Sequence, residues 1–252
     1  MRAWASCGRA IHPCAAAAEA ASQAMQQIPL PMLPELRPSF DSFIVGSNHA
    51  ALAHLQHLAM PTAPLYLWGA PGSGKTHLLR ALVDHVHGAG ARAGCFAPGD
   101  ALPWRLDPGW ALVVIDDCHA LDDARQHAVF ALFVDALSHG VQLAAAGRLP
   151  PVDLPLRDDV RTRLGWGHVF ALQCLTEAET RAALRRDADR RGILLSDEVL
   201  DFLLTRFPRD LKALMELLDG LDEYAWARAR AVTVPLLKQM IAEHEFGAPV
   251  HR

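Results

Sequence analysis

Eight consecutive residues, Gly69, Ala70, Pro71, Gly72, Ser73, Gly74, Lys75 and Thr76, carry the G-x-x-x-x-G-K-T spacing of a phosphate-binding loop. Glycines let backbone N–H groups close around phosphate oxygens, and a helix starting at the lysine adds the positive end of its dipole. Lys75 supplies a compact charge for the β- and γ-phosphates, where an arginine fork would not fit the same loop. Thr76 offers its hydroxyl to Mg²⁺. Of the 24 basic residues only Lys75, Lys212 and Lys238 are lysine, so a lysine at this spacing is a specific signal. With His77, which follows directly, these residues form a candidate site for ADP or ATP with Mg²⁺.

A second set lies at Ala111-Leu-Val-Val-Ile-Asp116-Asp117. A buried strand ending here delivers Asp116 beside the loop, where a carboxylate holds the magnesium shell. Asp117 is then the candidate catalytic group that orients or activates an attacking water. Two adjacent aspartates after a strand are common turn chemistry, so this pair gains its meaning from the lysine loop upstream.

These groups need a sheet behind them, and the pattern from Phe40 onward is one of alternating strands and helices. Pro64 and Gly69 bracket a strand at Leu65 to Trp68. A helix follows from Lys75 to about His87, with Leu78, Leu79, Leu82, Val83 and Val86 on one side. Further strands are expected at Arg92 to Ala97, Ala111 to Ile115, Val141 to Ala146 and His168 to Leu172, with a helix at Ala124 to Ser138. This predicts an α/β fold with a parallel sheet flanked by helices. After Cys174 the pattern is helical only. Thr176 and Glu179 form a capping box for a helix to about Arg191, which Gly192 ends. Ser196 caps the next helix, with Asp197 and Glu198 in its first turn. Pro208 is expected to start a third, running to about Arg228, and Pro235 a fourth. The predicted division is an extended N-terminal segment at 1–38, an α/β domain at 39–173, a small helical domain at 174–246 and a tail at 247–252.

Composition narrows the function classes. Hydrophobic residues make up 51% and charged residues 21%, which suits a globule with a sizeable core. A net charge of −4 argues against DNA binding through bulk positive charge. Apolar runs are too short to cross a membrane, and the five cysteines show no paired spacing, so a reducing cytoplasm is the expected setting. Residues 1 to 24 are alanine-rich without hydrophobic period; we expect a tail outside the fold, or an upstream extension with the working start at Met25. Pro29, Pro31, Pro34 and Pro38 then favour an extended chain.

With these motifs in place, the sequence resembles the AAA+ family, in its DnaA branch, over about Phe40 to His244. Ser39-Phe-Asp-Ser-Phe-Ile-Val-Gly-Ser-Asn48 is similar to the segment that lines the base pocket in that branch. Thr162-Arg163-Leu-Gly-Trp-Gly167 is similar to the motif carrying its arginine finger, with Arg163 at the finger position. Pro208-Arg209-Asp-Leu-Lys212 resembles the start of the lid helix that presents a second nucleotide sensor, with Arg209 at the sensor position. Little sequence follows the helical region, so we expect no helix-turn-helix domain for reading origin boxes. Gln27, Ile28, Pro29, Leu30 and Pro31 instead resemble the short peptide that docks on the sliding clamp, the β subunit of DNA polymerase III.

The resemblance implies a regulator that inactivates DnaA: the finger acts in trans on clamp-loaded DNA, converting DnaA-ATP to DnaA-ADP and so restraining replication initiation. Its implied partners are DnaA and the clamp, with DNA contacted indirectly; no membrane is implied, and assembly of copies of the chain is compatible with the family. One departure bears on its own chemistry. The strand ending Ala144-Ala145-Ala146-Gly147 lacks the polar residue that senses the γ-phosphate in this family. The site is therefore expected to hold nucleotide, ADP above all, more than to turn it over. Competing readings are a standalone AAA+ ATPase, such as a helicase loader or remodelling motor, and a small-molecule kinase.

Overall fold

The computed structural model describes residues 38–207 and 210–244. The clamp-like peptide Gln27 to Pro31 and the lid arginine Arg209 lie outside them.

Five strands, β1 (Leu65–Trp68), β2 (Arg92–Phe96), β3 (Trp110–Ile115), β4 (Gln142–Gly147) and β5 (His168–Ala171), form one parallel sheet in the order β2-β3-β4-β1-β5. Strand residues alternate between faces. Leu65, Leu67, Leu112, Val114, Ala144 and Ala146 pack on helices α1 (His49–Gln56) and α2 (Lys75–Gly88). Tyr66, Val113, Ile115, Leu143 and Ala145 face α3 (Asp123–His139) and α4 (Asp158–Gly165). Burial on both faces makes β3 and β4 near-continuous apolar runs, as parallel strands require. All five strands stand within two residues of the expected bounds.

Two helices carry no clear signal in the sequence. α1 is eight residues long, and its Asn48 makes no capping hydrogen bond. α4 buries only Val160 and Leu164 among arginines and aspartates, too few apolar positions to register as a period.

Four helices follow the sheet: α5 (Glu177–Arg191), α6 (Asp197–Arg206), α7 (Leu211–Ala227) and α8 (Val234–His244). The capping box is formed, with Thr176 N donating to Glu179 Oε2 at 2.8 Å and Glu179 N to Thr176 Oγ1 at 3.3 Å. Leu200, Leu203, Leu214, Leu221, Leu236 and Leu237 build a core separate from the two sheet faces. α7 departs from expectation: it begins at Leu211, not Pro208. Asp210 is its cap, holding extended backbone while its carboxylate accepts from Lys212 N at 3.1 Å. Among the described residues no helix is long and apolar enough to cross a membrane.

Candidate functional site

β1 ends at Trp68, and the chain turns through Gly69 to Gly74 before α2 begins at Lys75. Gly74 caps that helix at φ 90°, a left-handed conformation, and a Cβ there would lie 2.6 Å from the Phe43 ring. The turn aims Lys75 back over its own loop: the ammonium donates to Gly69 O and Ala70 O, both at 2.8 Å, and to Ser73 Oγ at 3.2 Å. Lys75 is only 7% exposed. Burial lowers its pKa below the ordinary lysine value, Asp116 and Asp117 oppose that shift, and Arg148 adds to it.

Beside it, Thr76 Oγ1 donates to Asp116 Oδ2 at 2.6 Å, so the two expected magnesium ligands already touch. Asp116 extends the ladder of β3, its N–H donating to Phe96 O at 2.9 Å. Asp117 takes the left-handed conformation at φ 48°, and its N–H donates to Asp116 Oδ1 at 2.8 Å. This kink turns the second carboxylate away from the first. Next comes a 3₁₀ turn, Cys118–Ala120, that brings His119 Nδ1 to 3.8 Å from Asp117 Oδ1. That nitrogen is buried with no hydrogen-bond partner. Burial first, then Arg148, lowers the His119 pKa.

The expected base-pocket segment is tied down at both ends. His77 Nε2 lies 3.0 Å from Ser39 O and 3.3 Å from Ser42 Oγ, and its ring meets Phe43 with centroids 5.6 Å apart. Asn48, 4% exposed, donates to Gln173 O at 2.9 Å and accepts from Gln173 N at 2.8 Å. The segment before α1 is thereby pinned to the chain leaving β5.

Not every candidate meets at this site. Arg163 occupies the last turn of α4, its guanidinium 4.5 Å from the centre of the Phe130 ring. α4 leads into β5, whose first N–H donates to Pro64 O at 2.8 Å, beside the start of β1. Arg163 is thus carried by the helix that leads into the N-terminal end of β5, whereas the lysine loop leaves the C-terminal end of β1. The lid does reach the loop: a Cβ on Gly72 would stand 3.5 Å from Asp210 Cα, next in sequence to Arg209. His119 and Arg148 join the cluster without any sequence pattern marking them, since only the sheet order brings them there.

The donors suit a phosphate ligand with magnesium. Lys75 is held by three oxygens that phosphate oxygens could replace, and Thr76 and Asp116 offer hard oxygen donors. Among the described residues no group of three or more His, Cys, Asp or Glu could hold a metal unaided. A cation here would complete its shell with phosphate oxygens and water, as Mg²⁺ commonly does.

Family comparison agrees with this architecture from both ends of the chain. The model for the bacterial DnaA ATPase domain matches residues 35–92, and that for the Hda lid domain matches residues 177–241. Domain III of the replication initiation protein DnaA from Thermotoga maritima superposes with a TM-score of 0.67 at 22% identity, covering 82% of this chain and 96% of that one. AMPPCP-bound DnaA from Aquifex aeolicus gives 0.60 at 20% identity, covering 73% of this chain and 64% of that one. The RuvB Holliday junction branch migration motor of Thermotoga maritima gives 0.56 at 15% identity, covering 76% and 64%. At these identities the structural likenesses speak for the fold, and the two family matches for the branch: the chain is a DnaA-like AAA+ protein with a lid of the Hda type.

Proposed function

We propose that this protein binds ADP or ATP with Mg²⁺ and acts on DnaA, stimulating hydrolysis of DnaA-bound ATP through Arg163 while tethered to the sliding clamp. Gly69 to His77 hold the phosphates, Thr76 and Asp116 the magnesium, and Arg209 closes the lid on the nucleotide. Bound Mg²⁺ neutralises phosphate charge; the protein's own groups bind, orient and exclude water. The AMPPCP in the Aquifex DnaA structure supports nucleotide binding by this fold.

The observation carrying the trans reading is the position of Arg163. It sits on α4 against Phe130, and among the described residues no hydrogen bond, ion pair or ring contact joins it to the phosphate loop. Its guanidinium has no hydrogen bond or ion pair among the described residues, and stacking on Phe130 holds it ready for an anion. Trp166, whose N–H donates to Arg163 O, is 65% exposed, apolar surface of the kind that protein contacts cover. Arg161, two residues back and so on another side of α4, is engaged by Asp158 and by Val152 O.

At its own site, β4 ends in Ala144, Ala145, Ala146 and Gly147, all without a side-chain donor or acceptor for an attacking water. Slow intrinsic turnover follows. Asp117 remains the group that could orient water. The reading is tested by ATP turnover of the protein alone, with clamp on DNA, and with DnaA added. Stimulation only in the last mixture is expected; efficient turnover alone would favour a standalone ATPase.

A further inference from the structure

Edge strand β2 pairs with β3 alone, and a groove opens between it and α2. The cleft measures about 350 Å³. Leu79 and Val83, four residues apart and so on one side of α2, make an apolar floor with Phe96 of β2 and Val114 of β3. Arg80 and Asp84 repeat that spacing beside them. Neither makes a hydrogen bond or ion pair among the described residues, so the groove carries both signs of charge uncommitted. Thr76 and Asp116, the expected magnesium ligands, line the same cleft.

Pro38, the first described residue, also lines it, so the chain that precedes Pro38 starts at the groove itself. Directly after it, Ser39 is tied to α2, its carbonyl oxygen 3.0 Å from His77 Nε2. Residues 34–37 read Pro-Glu-Leu-Arg, an apolar side chain between opposite charges, which complements an apolar floor flanked by both signs. Four extended residues span about 13 Å, and the eight helical steps from Thr76 to Asp84 about 12 Å. The match to the DnaA ATPase domain begins at residue 35, so this short segment belongs to that module by sequence.

We propose that residues 34–37 dock in this groove as a strap, with Leu36 on the apolar floor and Arg37 at Asp84, and that the docked strap screens Thr76 and Asp116 from water on that flank. Pro34 and Pro38 restrict the free segment, which lowers the entropy lost on docking. The screening role rests on the nucleotide-binding reading above, since excluding water strengthens the hold of Thr76 and Asp116 on a phosphate-bound cation. The docking itself stands apart from that reading.

Cys95 reports the docking, because its thiol is free and lines the groove. The test is alkylation of the nucleotide-free full chain by N-ethylmaleimide, followed cysteine by cysteine with mass spectrometry, in wild type, Leu36→Asp and Leu36→Met. Cys174, exposed and set against Pro71 O at 3.6 Å, is the internal reference outside the groove. Leu36→Asp should speed alkylation of Cys95 about tenfold, the factor that burial of one leucine side chain supplies, and leave Cys174 unchanged. Leu36→Met, which keeps the apolar volume, should stay near wild type. Equal Cys95 rates in wild type and Leu36→Asp overturn the proposal, as does a rise shared by Cys174, which marks general loosening. Equilibrium binding of ADP with Mg²⁺ then tests the screening: Leu36→Asp should bind several-fold more weakly, and unchanged affinity overturns that role. Wild-type protein that binds no ADP would overturn the nucleotide-binding reading, while the Cys95 rates still decide the docking.

Discussion

Thr76 Oγ1 donates to Asp116 Oδ2 at 2.6 Å, joining the helix that follows β1 to the strand end of β3 across a separation of 40 residues. The contact is a charge-assisted hydrogen bond between two hard oxygen donors. It pre-arranges one edge of a magnesium shell, with Lys75 beside it and Asp117 turned outward by its left-handed backbone.

Lys75→Ala should abolish tight nucleotide binding, because phosphate charge would be left uncompensated inside a largely buried loop. A ligand that binds only the folded state raises its melting temperature by mass action. Saturating ADP with Mg²⁺ should therefore stabilise wild-type protein by several degrees and Lys75→Ala hardly at all. Equal melting temperatures with and without ADP in both proteins would contradict the assigned site.

Asn48→Ala should destabilise the protein by about 1 kcal/mol, since it removes both part-buried hydrogen bonds to the backbone of Gln173. Asn48→Asp should be no milder, because it sets a carboxylate against Gln173 O. Chemical denaturation would measure both. A cost within experimental error of zero would mean that the tie between the segment before α1 and the end of β5 is dispensable.

Acid should weaken the fold in a defined window. Burial lowers the pKa of His77 from the ordinary 6.5, opposed by its bond to Ser39 O. Burial also lowers His54 and His119. The folded protein thus binds protons less readily than the unfolded chain. Stability is fully present above 6.5 and is lost as pH falls through the window between that value and the lower folded values. Melting temperature should drop as pH falls below 6.5, and His77→Gln should reduce the drop. A melting temperature that rises on acidification would contradict the assignment of neutral, half-buried imidazoles.

Much of this architecture is legible without the structure, for local reasons. Strand β1 is bounded by Pro64 and Gly69, which break any continuation, and the lysine loop is a contiguous pattern whose spacing alone implies its turn. The capping box at Thr176 and Glu179 is equally local. What escapes is the product of topology or of short length. Arg148 and His119 come together only because β4 runs between β1 and β3, an order no single sequence states. α4 escapes because its two core positions, Val160 and Leu164, are diluted by charge. α7 begins late because Asp210 takes Lys212 N–H as a cap, where Pro208 offers the more obvious start.

Changing Gln27, Ile28 and Leu30 together to alanine should remove binding to the sliding clamp and spare ADP binding. An extended proline-flanked peptide with apolar anchors loses little entropy on docking in a groove. Surface-immobilised clamp would report the loss. If a chain beginning at Phe40 binds the clamp with equal affinity, the peptide assignment fails.

The central claim is that Arg163 works in another protein's active site, and hydrolysis of DnaA-bound ATP with clamp loaded on DNA tests it most directly. Fingers of this kind are worth roughly 10³ to 10⁵ in rate, or about 4 to 7 kcal/mol. Arg163→Ala should keep its fold, its nucleotide and its clamp affinity yet lose nearly all stimulation. Arg163→Lys should lose much of it, because an ammonium cannot reproduce the planar fork. Arg157→Ala and Arg161→Ala, whose guanidinium groups engage Asp159 and Asp158, control for general loss of charge and should cost far less. Near-complete loss confined to the Arg163 variants is the predicted result; Arg163→Ala stimulating DnaA as well as wild type would contradict the account.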